Sequence, residues 1–501
     1  MNRNVITYIL GYVMQIEAIL MLVPCVTAIC YGETEGLYYL GTAVFAFILG
    51  FLIKLKKPVN FTFYLKEGCI ITSLSWIVMS LIGCLPLMIS GEIPNFTDAL
   101  FETVSGFTTT GATILSDVES LSHCANMWRC FTHWIGGMGV LVFLLAVIPL
   151  SGGSHINIMK AESPGPSVGK LVPKVKQTAR ILYIIYLAMT VAQIILLLIG
   201  GMPLYDSLAT SFATAGTGGF GIKNDSIAGY SSYIQWVTTI FMILFGVNFN
   251  AYYLIIYKHI KKALKMEEVR CYFLIIIFST AIVFAGILDS SKNIADAVTK
   301  AAFQVASIIT TTGFSTTDFD LWSGTCKTVI VMLMFIGACA GSTGGGIKVS
   351  RFIVLFKTLK KELTSYIHPK SIQKIKTEGK PIEHEVIRSI NVYIVTFVLV
   401  FSCSVLLVSL ENQDLITNFT AVAATINNIG PGLSLAGPSC NFGFFSVFTK
   451  YVLIFDMLAG RLELFPLLIL FHPTVWKDMF KRVDKKNDTW NHSPRQVGGN
   501  S

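Results

Sequence analysis

Charge is what this chain lacks. Of 501 residues, 13% are Asp, Glu, Lys or Arg and 53% are hydrophobic, where an ordinary soluble domain carries about 25% charged residues. A soluble chain of this length would form roughly three domains with charged surfaces, and 38 basic plus 29 acidic residues cannot cover them. A soluble multidomain enzyme is excluded. The chain also has no Cys-x-x-Cys pair and no His-Glu-x-x-His, and its eight His lie mostly at loops or span ends. A membrane-embedded enzyme would need convergent His, Cys or carboxylates inside the apolar runs, so no catalytic residues are expected. His384-Glu385 reads as a solvated charged loop, and the roughly 38 residues between Arg351 and Arg388 are too few for a nucleotide-binding domain.

What is present is apolar sequence in runs of about 20, the length that crosses a ~30 Å hydrocarbon layer. Ten runs are expected to span: 5–29, 37–54, 69–90, 127–150, 181–201, 233–257, 271–289, 327–356, 389–410 and 447–471. The first follows Arg3, contains Glu17, exceeds a signal-peptide core in length and lacks an Ala-x-Ala-like cleavage site, so it reads as an uncleaved span. Of eleven cysteines, Cys69, Cys84, Cys271, Cys339 and Cys403 fall inside apolar runs and read as small buried hydrophobes. Cys124, Cys130, Cys326 and Cys440 fall outside the membrane, where sequence does not pair them.

Thirty of the 38 Lys and Arg lie on one side of this topology, in Arg3, 54–66, 160–180, 258–270, 351–388 and after 476. The opposite loops hold Arg129, Lys223, Lys292, Lys300, Lys327 and Lys450, and Lys348 and Arg461 fall within apolar stretches. The positive-inside rule makes the basic side cytoplasmic, with both termini inside. The net charge of +9 is then topology and contact with anionic lipid, and calls for no nucleic acid.

Two outer-side segments share one pattern, Ser105-Gly-Phe-Thr-Thr-Thr-Gly111 and Ser307-Ile-Ile-Thr-Thr-Thr-Gly313. Equivalent positions carry Ala213-Thr-Ala-Gly-Thr-Gly-Gly219 and Ala424-Thr-Ile-Asn-Asn-Ile-Gly430, which places the four glycines 108, 94 and 117 residues apart. Internal duplication is the natural explanation. Each unit reads as a span, a half-length helix (near 96–107, 204–215, 294–309 and 415–426), a Thr/Gly/Asn loop and a returning span. Half-length helices must re-enter, and re-entrant backbone survives only when buried in protein or lining a water-filled cavity. The fold class is therefore an all-α polytopic membrane protein of ten transmembrane helices: four fused helix/pore-loop/helix repeats around a central pore plus two extra N-terminal helices. The expected boundaries are 1–66 for the leading pair, 67–176, 177–266, 267–384 and 385–476 for the repeats, and 477–501 for a cytoplasmic tail.

Four short loops meeting at one axis can replace a cation's water with rings of backbone carbonyls, and glycine lets a carbonyl turn inward without a side chain filling the lumen. The filter residues are Thr109, Thr110 and Gly111; Thr217, Gly218 and Gly219; Thr311, Thr312 and Gly313; and Asn428, Ile429 and Gly430. A single Thr-Thr-Thr-Gly is more commonly a cap and turn, and it is the fourfold recurrence that favours a pore. The outer acids Glu92, Asp98, Glu102, Asp117, Glu119, Asp206, Asp225, Asp296, Asp318 and Asp320 outnumber the bases there, a field that concentrates cations, although most read as solvated loop charges.

Residues 337–346 hold five glycines, Gly337, Gly341, Gly344, Gly345 and Gly346. At about 1 kcal/mol per Gly relative to Ala, a regular helix is disfavoured there by about 5 kcal/mol, so the span should unwind beside a cavity as a gate, with Lys348 at its end. Close helix packing through small residues is the alternative; a phosphate loop is one residue out of register. Arg461 lies mid-span, where arginine costs about 2.5–3.5 kcal/mol. An ion pair with Asp456 or Glu463 can offset that, as can carbonyls of the unwound segment beside the ion path.

These motifs resemble the Trk/Ktr/HKT superfamily of cation transporters, and within it the TrkH type, over nearly the whole chain. FETVSGFTTTGAT from Phe101, ATAGTGGFG from Ala213, FQVASIITTTGFSTTDFD from Phe303 and NNIGPGL from Asn427 carry the resemblance, together with the extra leading pair of spans. It implies potassium uptake across the bacterial cytoplasmic membrane through a channel-like pore with potassium bound at the filter. It further implies an intramembrane gating loop with Ala338 where another glycine is expected, an arginine constriction at Arg461, a homodimer, and a cytosolic TrkA-type ring that supplies the nucleotide; no cofactor belongs to this chain. Glycine at all four filter positions resembles potassium-selective members, and Asn428 and Ile429 depart from the Thr-rich loops. A secondary transporter is the rival within transport, but its sites sit on broken helices related by inverted repeats, whereas these four units all run one way.

Overall fold

The computed structural model describes residues 2–58, 64–139, 175–370 and 373–480. The second half of the expected 127–150 span, the basic segment up to 174 and the tail beyond 480 lie outside the described residues. Among the described residues the elements are helices apart from one short hairpin, Lys376–Thr377 against Lys380–Pro381.

Among the described residues six helices are long and apolar enough to cross a membrane: Arg3–Tyr31, Gly36–Lys54, Leu65–Ile89, Ala179–Ile199, Glu267–Ser290 and His384–Glu411. Each corresponds to an expected span. His384 and Glu385, read from sequence as loop, instead open the last of these helices and are exposed there. In Ala179–Ile199, Glu267–Ser290 and His384–Glu411 only 28% of the apolar window is buried. Their outward residues, such as Ile184, Leu187, Ile277, Phe278, Val395 and Leu399, are exposed and apolar, which is the surface a lipid solvent selects. Cys403 sits on such a face, exposed, whereas Cys69, Cys84 and Cys339 are buried as expected. All eleven cysteines are free.

The leading pair packs tightly. A side chain on Gly50 would fall within 3.0 Å of the Gly11 carbonyl oxygen, so two glycines let the helices Arg3–Leu20 and Gly36–Lys54 touch backbone to backbone.

The other expected spans belong to the returning, inner helices, and three of these are broken. Ser232–Phe245 meets Phe249–Ile256 at 91°. Gly324–Phe335 ends before a non-helical stretch, and the chain resumes as Val349–Ile367. Val447–Arg461 stops at Glu463 and Leu464, whose φ values of 54° and 68° end a right-handed helix, and restarts as Phe465–Leu470 with Pro466 in its first turn. The first inner helix, His123–Gly137, reaches the end of the described segment intact.

Between each outer and inner helix runs a short buried helix: Phe96–Phe107, Leu204–Gly216, Ile294–Ile309 and Leu415–Ile426. With 12 to 16 residues each at about 1.5 Å per residue, they fall short of the membrane thickness.

Candidate ion filter and gate

The four short helices end alike. Three begin on side-chain caps, Asn95, Asn293 and Asp414. At the other end of each helix one residue donates its N–H three residues back and the next donates five back. Thr109 bonds to Gly106 and Thr110 to Ser105; Thr217 to Thr214 and Gly218 to Ala213; Thr311 to Ile308 and Thr312 to Ser307; Asn428 to Thr425 and Ile429 to Ala424, all at 2.8–3.1 Å. This is the Schellman pattern. Its left-handed position is normally glycine, yet here it is Thr109, Thr217, Thr311 and Asn428, with φ of 55–57°. A β-branched residue in this region is strained, and the same strain at the same place in three loops indicates that the side chain is wanted there. Two residues on, Gly111, Gly219, Gly313 and Gly430 again take positive φ, 79–100°.

The loops close into a ring. A side chain on Gly111 would fall within 3.0 Å of the Gly218 carbonyl oxygen, one on Gly219 within 3.0 Å of Thr312 O, one on Gly313 within 3.0 Å of Ile429 O, and one on Gly430 within 3.0 Å of Thr110 O. Each filter glycine therefore abuts the carbonyl before the glycine of the next loop, and the fourth returns to the first. Such head-to-tail contact closes only about a common axis. A cavity of about 210 Å³ opens on this ring, lined by all four glycines and by Thr113, Asn224, Ser315 and Asn441 among others. The short helices present their C-terminal ends to the ring, the negative end of the helix dipole, which favours a cation.

Hydroxyls hold the loops. Thr108 Oγ1 and Thr110 Oγ1 are 2.8 Å apart, and Thr310 Oγ1 and Thr312 Oγ1 are 2.7 Å apart. Thr217 Oγ1 donates to Gly216 O, and Thr109 Oγ1 is buried without a partner among the described residues. In the fourth loop Asn428 Nδ2 donates to Thr110 Oγ1 at 3.0 Å and to Met457 O at 2.9 Å, so the departure from threonine ties that loop to the first.

Behind the ring lie braces that sequence reasoning passed over. Glu102 is buried on the first short helix and accepts from Arg129 Nε (2.8 Å) and NH2 (2.7 Å), Thr113 Oγ1 (2.9 Å) and Ile114 N (3.0 Å). Arg129 lies in the first inner helix, not in a loop, and also reaches Asn126 and the Phe220 ring. The available signal was positional: Glu102 and Gln304 both stand nine residues before a filter glycine, and Gln304 Oε1 likewise takes the N–H of Thr316. His133 joins Gly106 O (2.7 Å, through Nδ1) to the Phe220 N–H (3.2 Å, through Nε2), which places the ring proton on Nδ1.

The outer acids are mostly engaged rather than freely solvated. Asp98 pairs with the buried Lys450, Asp296 with Lys300 and Asp320 with Lys327, and Glu92 accepts from Ser122 N. Asp117 is held below the ordinary carboxylate range by the Asn224 amide. Lys300, Lys327 and Lys450 lie in helices, so the outer face has fewer loop bases than the sequence suggested.

On the far side of the ring, residues 336–348 form a non-helical segment closed at its base by Ile336 against Ile347, with Gly337 N bonded to Ile347 O at 2.8 Å. Gly345 N–H donates to Thr311 Oγ1 at 2.6 Å, and a side chain on Gly345 would strike Asn427 O and Asn428 Cβ. The segment thus lies directly against the third and fourth loops. Lys348 Nζ folds back onto the Gly344 and Gly345 carbonyls. Arg461 donates to Thr343 O at 2.9 Å and to Gly136 O and Gly137 O. Of the two acids open to it from sequence, Asp456 accepts from Ser404 and Glu463 pairs with Arg351. Gly337, Gly341, Gly344 and Gly346 complete the segment, and Gly341 O accepts the Phe249 N–H of the second inner helix.

The family described as TrkH, cation transport protein, matches residues 39–482 of this chain. The Trk system potassium uptake protein TrkH of Salmonella typhimurium is 34% identical over 497 residues, covering 95% of this chain and 100% of that protein. The Trk system potassium uptake protein TrkG of Escherichia coli is 33% identical over 484 residues, covering 95% and 99%. The crystal structure of the potassium transporter TrkH from Vibrio parahaemolyticus matches with a TM-score of 0.85 at 32% identity, covering 95% of this chain and 100% of that one.

Proposed function

This chain belongs to the TrkH family of cation transport proteins, and from that premise we propose that it takes up potassium across the bacterial cytoplasmic membrane, both termini inside. The observation that carries the reading is the closed ring, in which each filter glycine abuts a carbonyl of the next loop. A dehydrated alkali ion needs oxygens on all sides, and four loops with matching turns supply main-chain oxygens that no side chain obstructs. Passage is channel-like, driven inward by the membrane potential at about 2.3 kcal/mol per 100 mV for a monovalent ion.

Below the filter the glycine-rich segment and Arg461 act as the gate. What supports this is the contact of Gly345 with Thr311 and of Arg461 with Thr343, which together put backbone and one fixed positive charge beneath the ring. Regulation comes from outside the chain, through a cytosolic TrkA-type ring that binds the nucleotide and docks on the basic loops, with the pore chain as a homodimer. The relatives are named as parts of a Trk system, which fits a division of labour between chains.

Cation flux into proteoliposomes tests the reading, with potassium, rubidium, sodium and lithium, for the natural chain and Gly111→Ser. Potassium and rubidium uptake well above sodium and lithium, weakened by the serine, is expected. Equal flux of all four ions, unchanged by the serine, overturns it.

A further inference from the structure

Glu268 stands in the first turn of the third outer helix, Glu267–Ile287, and is only 9% exposed. Three donors from two other elements converge on its carboxylate. Oε1 accepts the Ala340 N–H at 2.7 Å and the Ser350 N–H at 3.2 Å, and Oε2 accepts Asn248 Nδ2 at 3.2 Å. Ala340 and Ser350 flank the part of the glycine-rich segment that reaches the filter, so one side chain clasps both ends of that segment. Asn248 is the residue at the 91° break of the second inner helix, where its Oδ1 caps the Asn250 N–H at 2.9 Å. The two breaks are also joined main chain to main chain: Cys339 N to Gly246 O (3.0 Å), Phe249 N to Gly341 O (3.0 Å) and Thr343 N to Phe245 O (3.4 Å).

This arrangement has a mechanical reading. A glycine-rich segment has many conformations open to it, and a segment that blocks ions must be confined to one. Hydrogen bonds to a carboxylate are about twice as strong as neutral ones, and here they fix the two ends, while the middle is held by main-chain bonds to Phe245 and Phe249 and by Thr311, Arg461 and Lys348. The bend of the second inner helix gives the clasp its third point.

We propose that Glu268 is the positioning residue that holds the glycine-rich segment in its blocking place beneath the filter, with Asn248 and the broken second inner helix as its backstop. This rests on the gate reading above. The test measures basal potassium flux per unit of protein in proteoliposomes for Glu268→Gln, Glu268→Ala and Asn248→Ala, each in the full chain and in a chain lacking residues 341–346. Glu268→Gln keeps the shape and one acceptor oxygen, and guards against loss of the fold in Glu268→Ala. In the full chain Glu268→Ala should raise flux about tenfold, with Glu268→Gln and Asn248→Ala smaller increases. None should change flux further once the segment is gone, which a merely structural role would not produce. If deletion of the segment raises flux but the Glu268 variants leave it unchanged or lower it, the clasp is wrong and the gate stands. If deletion itself leaves flux unchanged, the gate reading falls, and the clasp with it.

Discussion

A threonine held at φ near 55° is a strained feature, and it recurs at Thr109, Thr217 and Thr311. Glycine would relieve the strain, by of order 1 kcal/mol per site, but would lose the hydroxyl that in Thr311 receives the Gly345 N–H of the glycine-rich segment. Thr311→Gly is therefore expected to raise basal potassium flux while selectivity among cations stays. A flux ratio of potassium to sodium measured with both variants in parallel separates this from Gly219→Ala, whose methyl group meets Thr312 O within 3.0 Å and should cut potassium flux more than about tenfold. Arg461→Ala removes a side chain that spans Thr343, Gly136 and Gly137 and should raise conductance; no change would detach Arg461 from the proposed gate. Glu102→Ala leaves Arg129 buried and unpaired, a loss of about 3–5 kcal/mol, seen as a lower unfolding temperature in detergent, with Glu102→Gln milder because Gln304 serves the equivalent place. Apart from the shared position of Glu102 and Gln304 nine residues before a filter glycine, the braces were not legible in sequence. Glu102 and Arg129 are 27 residues apart, and a carboxylate next to a predicted loop reads as solvated until packing shows what covers it.

The helices divide into those that sequence discloses and those it does not. The four short helices and the outer spans were legible because one repeated motif marks each turn and because apolar runs of the right length have few other uses. The break at 336–348 was legible too, since five glycines in ten residues cannot hold a helix. The breaks at 246–248 and 462–464 were not. Each sits inside a continuous apolar run, and what bends the chain is a partner: Asn248 capping against Glu268 in one, Glu463 pairing with Arg351 in the other. Deleting residues 341–346 is expected to increase potassium flux more than Arg461→Ala does, because it removes the backbone proposed to block along with the acceptor of the arginine. Single-channel recordings of the two variants give the order directly, and the reverse order would assign the block to the arginine alone.

At the scale of the whole described structure the four turns share one geometry and close on one another, while the braces behind them are unequal: a charged pair behind the first, an amide behind the third, and the Thr420 hydroxyl bonded to Leu433 N behind the fourth. The proposed orientation rests on the lopsided basic residues, and Cys440, exposed and lining the cavity above the ring, tests it. With the other cysteines replaced, a membrane-impermeant thiol reagent added outside should modify Cys440 and slow potassium entry; modification only from the cytoplasmic side would invert the topology. The claim on which the rest depends is that the ring binds a dehydrated cation. Crystals or cryo-EM grids of the chain prepared in rubidium, with the anomalous or difference signal mapped at the filter, examine it most directly. A peak on the axis within about 3 Å of the carbonyl oxygens of Thr110, Gly218, Thr312 and Ile429 is the predicted result, and an empty ring with rubidium bound elsewhere would contradict it.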